Sequence, residues 1–300
     1  MHAREPPHSR TIAVVLVACA ACSHQPPTTA SPDAGLLAHP AAHAPTTASS
    51  AAIALGPTPD NVCESIYLLT STGAFLRFSP TLMRISSVGA LGPCGLGSEV
   101  RGDPISFAVE RSGQAWVPRS NGRIASVNVH DASCFDTPFV PHQGGFAMVN
   151  LAVAGDTLVG ADDHGWGGDT APSLGLALID RATWKLTRVG HAWGDRMHLA
   201  GTSAGALYAA SPGAIEQIDR TTYAATDLHV EPLEKASGAP MAYYRGALWI
   251  FGGFTGVLRV DLATKRVEQV ADATYLEPLR ALNVRIDGAG AAACDVDAAK

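Results

Sequence analysis

One short pattern recurs five times along the chain, and its spacing limits the fold more than any other feature. The stretches are "LRFSPTLMRISSVG" from Leu76, "ASVNVHDASCFDTP" from Ala125, "LALIDRATWKLTRVG" from Leu176, "EQIDRTTYAATDL" from Glu216 and "LRVDLATKRVEQV" from Leu258. Each reads as a strand ending in a small polar residue, a four-residue turn and a second strand. The last three share Asp-x-x-Thr, at Asp180 with Thr183, Asp219 with Thr222 and Asp261 with Thr264. A carboxylate there can accept the amide two residues on and fix the turn. The equivalent positions are Ser79, Asn128, Asp180, Asp219 and Asp261, with gaps of 49, 52, 39 and 42 and a mean of 45.5 residues.

A second element precedes each turn. "RSGQAWV" from Arg111, "TSAGALYA" from Thr202 and "YRGALWI" from Tyr244 each carry a Gly-centred turn, then bulky apolar residues. Gly supplies the positive φ of a tight hairpin. Short apolar strands come before these turns: "ISFAVE", "MVNLAVA", "MHLAG" and "PMAYY". The unit is three or four antiparallel strands every 45 residues or so, with no strong amphipathic helix. That predicts an all-β, five-bladed β-propeller. A β-sandwich would also be all-β, but it gives no reason for the period. "SIYLLTSTGAFLRF" supplies only three strands to the first blade. "RALNVRIDGAGAAAC" at the chain's end reads as the missing inner strand, so the C-terminal strand is expected to close the first blade. Trp116, Trp184 and Trp249 are expected on strands, in the core.

The N-terminal region has a different character. "MHAREPPHSR" carries Arg4 and Arg10 against Glu5, and Thr11 to Ala18 are apolar or small. This is the layout of an export signal, too short for a membrane span of about 20 apolar residues. It ends Leu16-Val17-Ala18-Cys19, which resembles the lipobox of bacterial lipoproteins. The resemblance implies cleavage before Cys19 and lipidation of its thiol, and Ala20 after it implies the outer membrane. Residues 1–18 are thus read as signal peptide. Residues 19–58, rich in Ala, Pro and Thr, are read as a disordered lipid-anchored linker that cannot bury a core. Residues 59–300 are read as the propeller.

Only 16% of residues are charged and the net charge is −6. With no basic cluster, this argues against nucleic acid as a partner. Four cysteines fall in the propeller: Cys63, Cys94, Cys134 and Cys294. In an oxidising compartment they should pair. Ring closure brings Cys294 to Cys63, which leaves Cys94 with Cys134; pairing of Cys63 with Cys94 inside one blade stays open as the alternative. Cys63 before "IYLLT", "FAVERSGQAWV", "PFVPHQGGFAMVN" and the closing "DGAGAAAC" resemble secreted β-propeller lipoproteins of bacteria, with WD40-like or YVTN-like repeats. That resemblance brings a fold and a location, but no activity.

"GTSAG" at Gly201 to Gly205 fits the nucleophile-elbow pattern, yet it falls on the repeat's own hairpin turn and a strand follows it. The polar residues concentrate in the third blade. "ADDHGWGGDTAPS" carries Asp162, Asp163, His164, Trp166 and Asp169. "GHAWGDRMH" carries His191, Trp193, Asp195, Arg196 and His198. Strand alternation puts both segments on one face, with His142 of the preceding exit loop. Carboxylates there could take calcium, histidines zinc, and tryptophans a sugar ring, but no ligand spacing is diagnostic and no cofactor is predicted. The first function class is a binding or structural module of the cell envelope. It would touch the membrane through its lipid alone and grip an envelope protein or a glycan. The alternative is a propeller-type enzyme, a metal-dependent lactonase or other hydrolase, or a lyase, with its site on the same loop face.

Overall fold

The computed structural model describes residues 61–91, 103–146, 149–162, 173–190, 197–211, 213–230, 239–252, 256–281 and 283–294. They form five four-stranded antiparallel sheets. The first blade holds β1 (Ile66–Thr70), β2 (Ala74–Ser79) and β3 (Arg84–Ala90). The second holds β4 (Ala108–Val109), β5 (Gln114–Pro118), β6 (Ile124–Asn128) and β7 (Cys134–Asp136). The third holds β8 (Val149–Ala154), β9 (Thr157–Asp162), β10 (Leu176–Asp180) and β11 (Lys185–Arg188). The fourth holds β12 (His198–Gly201), β13 (Leu207–Ser211), β14 (Ala214–Ile218) and β15 (Ala225–Asp227). The fifth holds β16 (Met241–Tyr244), β17 (Ala247–Gly252), β18 (Gly256–Asp261) and β19 (Arg266–Ala271). A short helix, α1 (Glu277–Arg280), then leads to β20 (Ile286–Ala291).

β20 joins the first blade as its inner strand. It pairs antiparallel with β1, Ile66 opposite Ala291 and Leu68 opposite Ala289. The inner strands β20, β4, β8, β12 and β16 adjoin in that order around the hub and return to β20. The expected five-bladed propeller, closed by the chain's end, is the observed fold. Cys63 and Cys294 form a disulfide across 231 residues, the first of the two pairings foreseen. Cys134 is also disulfide-bonded, and Cys94 lies outside the described residues. In the chain-entropy model a loop of that length is worth about 5 kcal/mol.

The core lies between blades. Alternate residues of one strand point to opposite faces, and here both faces are covered. Tyr67 and Leu69 of β1 pack toward the second blade with Phe75, Phe107 and Val127. Ile66 and Leu68 of the same strand pack toward the fifth with Trp249, Phe251 and Val257. Phe78 sits 5.6 Å from the Trp249 ring and 5.3 Å from Phe251. Its loss would cost about 4 kcal/mol, the usual scale for a buried ring cut to Ala.

At particular points the inner strands approach so closely that only glycine fits. A Cβ on Gly201 would lie 2.1 Å from the Val153 carbonyl oxygen of the neighbouring blade. On β20, Gly288 and Gly290 leave the space that the Phe107 ring fills; a Cβ at either would meet that ring within 3 Å. The channel between the inner strands shrinks to about 10 Å³, lined by residues such as Ala108, Ala152, Ala200 and Ala242. That is barely room for one water.

The repeated turns behave as the sequence predicts. The Asp219 carboxylate accepts the amides of Thr221 at 2.9 Å and Thr222 at 2.7 Å, and the Thr222 hydroxyl at 2.8 Å. Asp261 does the same with Ala263 and Thr264, and Asp180 accepts the amides of Ala182 and Thr183. Four residues after each polar position stands one with positive φ: Met83, Ala132, Trp184, Tyr223 and Lys265. Trp184 therefore sits in a turn, not on a strand. Its ring is still half-buried, edge-on to Trp116 at 5.2 Å.

Gly201→Ala should lower stability by about 3 kcal/mol, because backbone faces backbone there and neither can yield. Gly213→Ala, with open space around it but φ of 89°, should lose only about 1 kcal/mol from backbone strain; urea unfolding compares the two. The turn amides hold the carboxyls of Asp180, Asp219 and Asp261 below the usual carboxylate range. An unfolded Asp titrates at about 3.9. Their contribution is therefore complete above that pH and drains away as pH falls through the lower folded values. Replacing all three with Asn should flatten the acid limb of a stability profile measured from pH 2 to pH 6.

Candidate functional site

The inner strands start on one face of the disk and end on the other, so the hub has two mouths. At the starting mouth, β4, β8 and β12 are led by three buried polar side chains: Ser106 at 4% exposure, Asn150 at 2% and His198 at 8%. Each immediately precedes the residues that line the channel. The structurally matching positions in the fifth and first blades are Pro240 and Gly288, with Asp287 buried just before the latter. The second strands end at the same mouth. The residues there, in register with the inner-strand starts, are Thr70, Arg119 and Asp162, all buried. More than half of the buried polar side chains among the described residues stand in this collar.

Burying polar groups costs free energy unless each is matched, and the collar shows how some are. The Asp162 carboxylate accepts the Leu174 amide at 2.7 Å, and its carbonyl accepts the Ser173 hydroxyl at 2.9 Å. Arg119 pairs with Asp136 at 3.1 Å. Arg285 donates to Asp287 at 2.5 Å. Asn150 and His198 are engaged by other groups. Burial pushes the Asp287 carboxyl up, and the Arg285 guanidinium only partly opposes this.

Of the residues singled out from the sequence, Asp162, His142 and His198 are described. Asp162 is buried and fastens the start of its loop. His142 is exposed, with φ of 59°, ahead of a turn whose Gln143 amide donates to the Trp184 carbonyl at 2.9 Å. Asp163, His164, Trp166, Asp169, His191, Trp193, Asp195 and Arg196 lie outside the described residues, as does Cys19. In the chain, the first of these stretches follows β9 and the second precedes β12. Ser106, Asn150 and Asp287 were missed in the sequence because single polar residues inside apolar strands look like noise. Aligning the inner strands by blade would have put the first two in one column with His198.

The opposite mouth is a cup of about 140 Å³. It is built from Glu110, Arg111 and Ser112 of the second blade, Asp156 and Arg181 of the third, and Ser203 of the fourth. The Glu110 carboxylate accepts the Trp116 indole N–H at 2.6 Å and is ion-paired to Arg181, which also donates to the Asp156 carbonyl at 2.6 Å. Ser203 sits in the β12–β13 hairpin, where Thr202 accepts the Gly205 amide at 3.0 Å. That geometry is a strand-to-strand turn and not a nucleophile elbow. Among the described residues no three His, Cys, Asp or Glu side chains gather as a metal site, and no helix is long and apolar enough to cross a membrane.

No protein-family model matches the chain, and no curated protein matches it in sequence. Solved structures of similar shape include one in the crystal structure of a nidogen/laminin complex. It is 15% identical with a TM-score of 0.47, over 78% of this chain and 83% of that one. The extracellular domain of a hybrid two-component system of Bacteroides thetaiotaomicron is 15% identical with a TM-score of 0.41, over 72% of this chain and 28% of that one. An auxiliary nutrient binding protein of the same organism is 15% identical with a TM-score of 0.38, over 55% of this chain and 40% of that one. The five blades here rest on the chain's own strand pairing.

Because burial raises the Asp287 carboxyl, its ionisation works against folding as pH rises from about 3.9, the unfolded value, through the higher folded value. Asp287→Asn should therefore gain on the natural protein between pH 3 and pH 7. Urea unfolding of both proteins at the two values reads the difference.

Proposed function

We propose that the protein is an exported binding module of the cell envelope, tethered through lipid on Cys19, that grips its partner with the loop face of the propeller. The observation that carries this reading is the polar collar. Ser106, Asn150, Asp162 and His198 stand buried around one end of an otherwise apolar hub. In sequence, Asp163, His164, Trp166 and Asp169 directly follow Asp162, and His191, Trp193, Asp195 and Arg196 closely precede His198. Aromatic and ionisable residues on loops anchored to a rigid sheet are the usual material of a recognition surface. The partner is an envelope protein or a glycan. Calcium could bind the loop carboxylates.

Export is supported by the lipobox-like "LVAC" and by the Cys63–Cys294 disulfide, since such bonds persist outside reducing compartments. Residues 19–58 are read as the tether between the lipid and the propeller.

Cys19→Ala should abolish incorporation of labelled fatty acid and move the protein out of the membrane fraction, with the circular dichroism of the propeller unchanged. A photo-crosslinking residue at Trp166 or Trp193 should capture one discrete envelope partner in cells, whereas the same residue at Ala204 on the opposite face should not. Equal capture from both faces, or none from the loops, would remove the loop face as the recognition surface. Elemental analysis of the purified full chain gives the calcium content.

A further inference from the structure

The cup opposite the loop face has no part in that reading, yet it is the better-built cavity among the described residues. Three blades converge on it, and its polar groups are held before any ligand arrives. Trp116 and Arg181 fix Glu110 from two sides, and the Asp156 carbonyl fixes Arg181. Positions locked by their own neighbours lose little freedom when a ligand binds.

The lining decides the ligand class. Arg111 and Arg181 balance Glu110 and Asp156, so the cup has no net charge. It gives no Coulombic advantage to an anion or a cation. Glu110 and Arg181 already neutralise each other across two blades, and a charged ligand would have to break that pair. A hydroxyl group need not. It can donate to a carboxylate oxygen and accept from a guanidinium N–H at once, and Ser112 and Ser203 can take either role. Val153 and Ala293 add an apolar patch suited to the C–H face of a ring. The volume of about 140 Å³, where a single water needs about 10–15 Å³ on the same measure, gives room for one small ring. The 10 Å³ channel separates the cup from the collar, so a molecule bound here does not reach the other mouth.

We propose that the cup is a second binding site, for a small uncharged polyhydroxyl ligand of monosaccharide size, and that Glu110 and Arg181 orient it. The probes are D-glucose, D-galactose and D-mannose, with glycine and sulfate as the zwitterionic and anionic comparators, added to the full chain and followed by NMR. At least one hexose should bind with a Kd of about 1 mM and shift the amides of Gly155, Asp156 and Ser203. Ser203→Phe, which puts a ring into the cup from its turn, should weaken that binding at least tenfold. Arg181→Lys keeps the charge but loses the planar fork, and should do the same if the first variant does not fold. The proposal falls if no hexose binds at millimolar concentration or if glycine or sulfate binds more tightly. It falls equally if the shifts centre on Asn150 and His198, or if binding survives both substitutions.

Discussion

Laying β20 between β1 and β4 converts a row of sheets into a ring, and every other part of the molecule presupposes that contact. A propeller blade buries its faces only against two neighbours, so an open ring would leave both the first and the fifth blade half uncovered. Leu68 and Phe78 illustrate the dependence. They belong to the first blade by sequence, yet their packing partners Trp249 and Phe251 come from the fifth. The closing strand holds through its ladder with β1, the Phe107 ring seated over Gly288 and Gly290, and the Cys63–Cys294 bond. The disulfide acts largely by restricting the unfolded chain, whereas the ladder and the ring act in the folded state.

The hub follows from the same geometry. Five strands drawn to one axis leave little space, so the residues there are Ala and Gly where the backbones come closest, as at Gly201 against Val153. Larger residues such as Phe75 and Phe78 pack in the wedges between blades. Polar side chains are tolerated near the axis only at its ends, where loops or solvent can meet their hydrogen-bonding needs. The collar and the cup are thus products of where a tight hub can admit polarity, and their contents are what distinguish one face from the other.

Most of the architecture was legible in the sequence because it is repetitive. Asp180, Asp219 and Asp261 each announce a turn through a local hydrogen bond, and "DGAGAAAC" announces closure because small residues suit a strand at the axis. The positive φ at Met83, Ala132, Trp184, Tyr223 and Lys265 was not legible, since these five side chains share no chemistry; the shape of the turn imposes the conformation whatever the residue. The site was less legible still. Ion pairing of Glu110 with Arg181 joins positions 71 apart in sequence, and nothing local in "FAVERSG" or "IDRATW" signals it. Asn150 and His198 become a pattern only once blades are superposed.

The sealed axis has a thermodynamic corollary. With no passage for solute and no shared side chain, occupancy at one mouth can influence the other only by tilting whole blades, and backbone contacts as tight as those of Gly201 resist such movement. Allosteric coupling is a free energy that needs two alternative arrangements of the protein; a wheel wedged at its axle supplies poor material for a second one. If both faces bind as proposed, they should act as independent receptors on one rigid disk, able to hold unlike molecules at the same time.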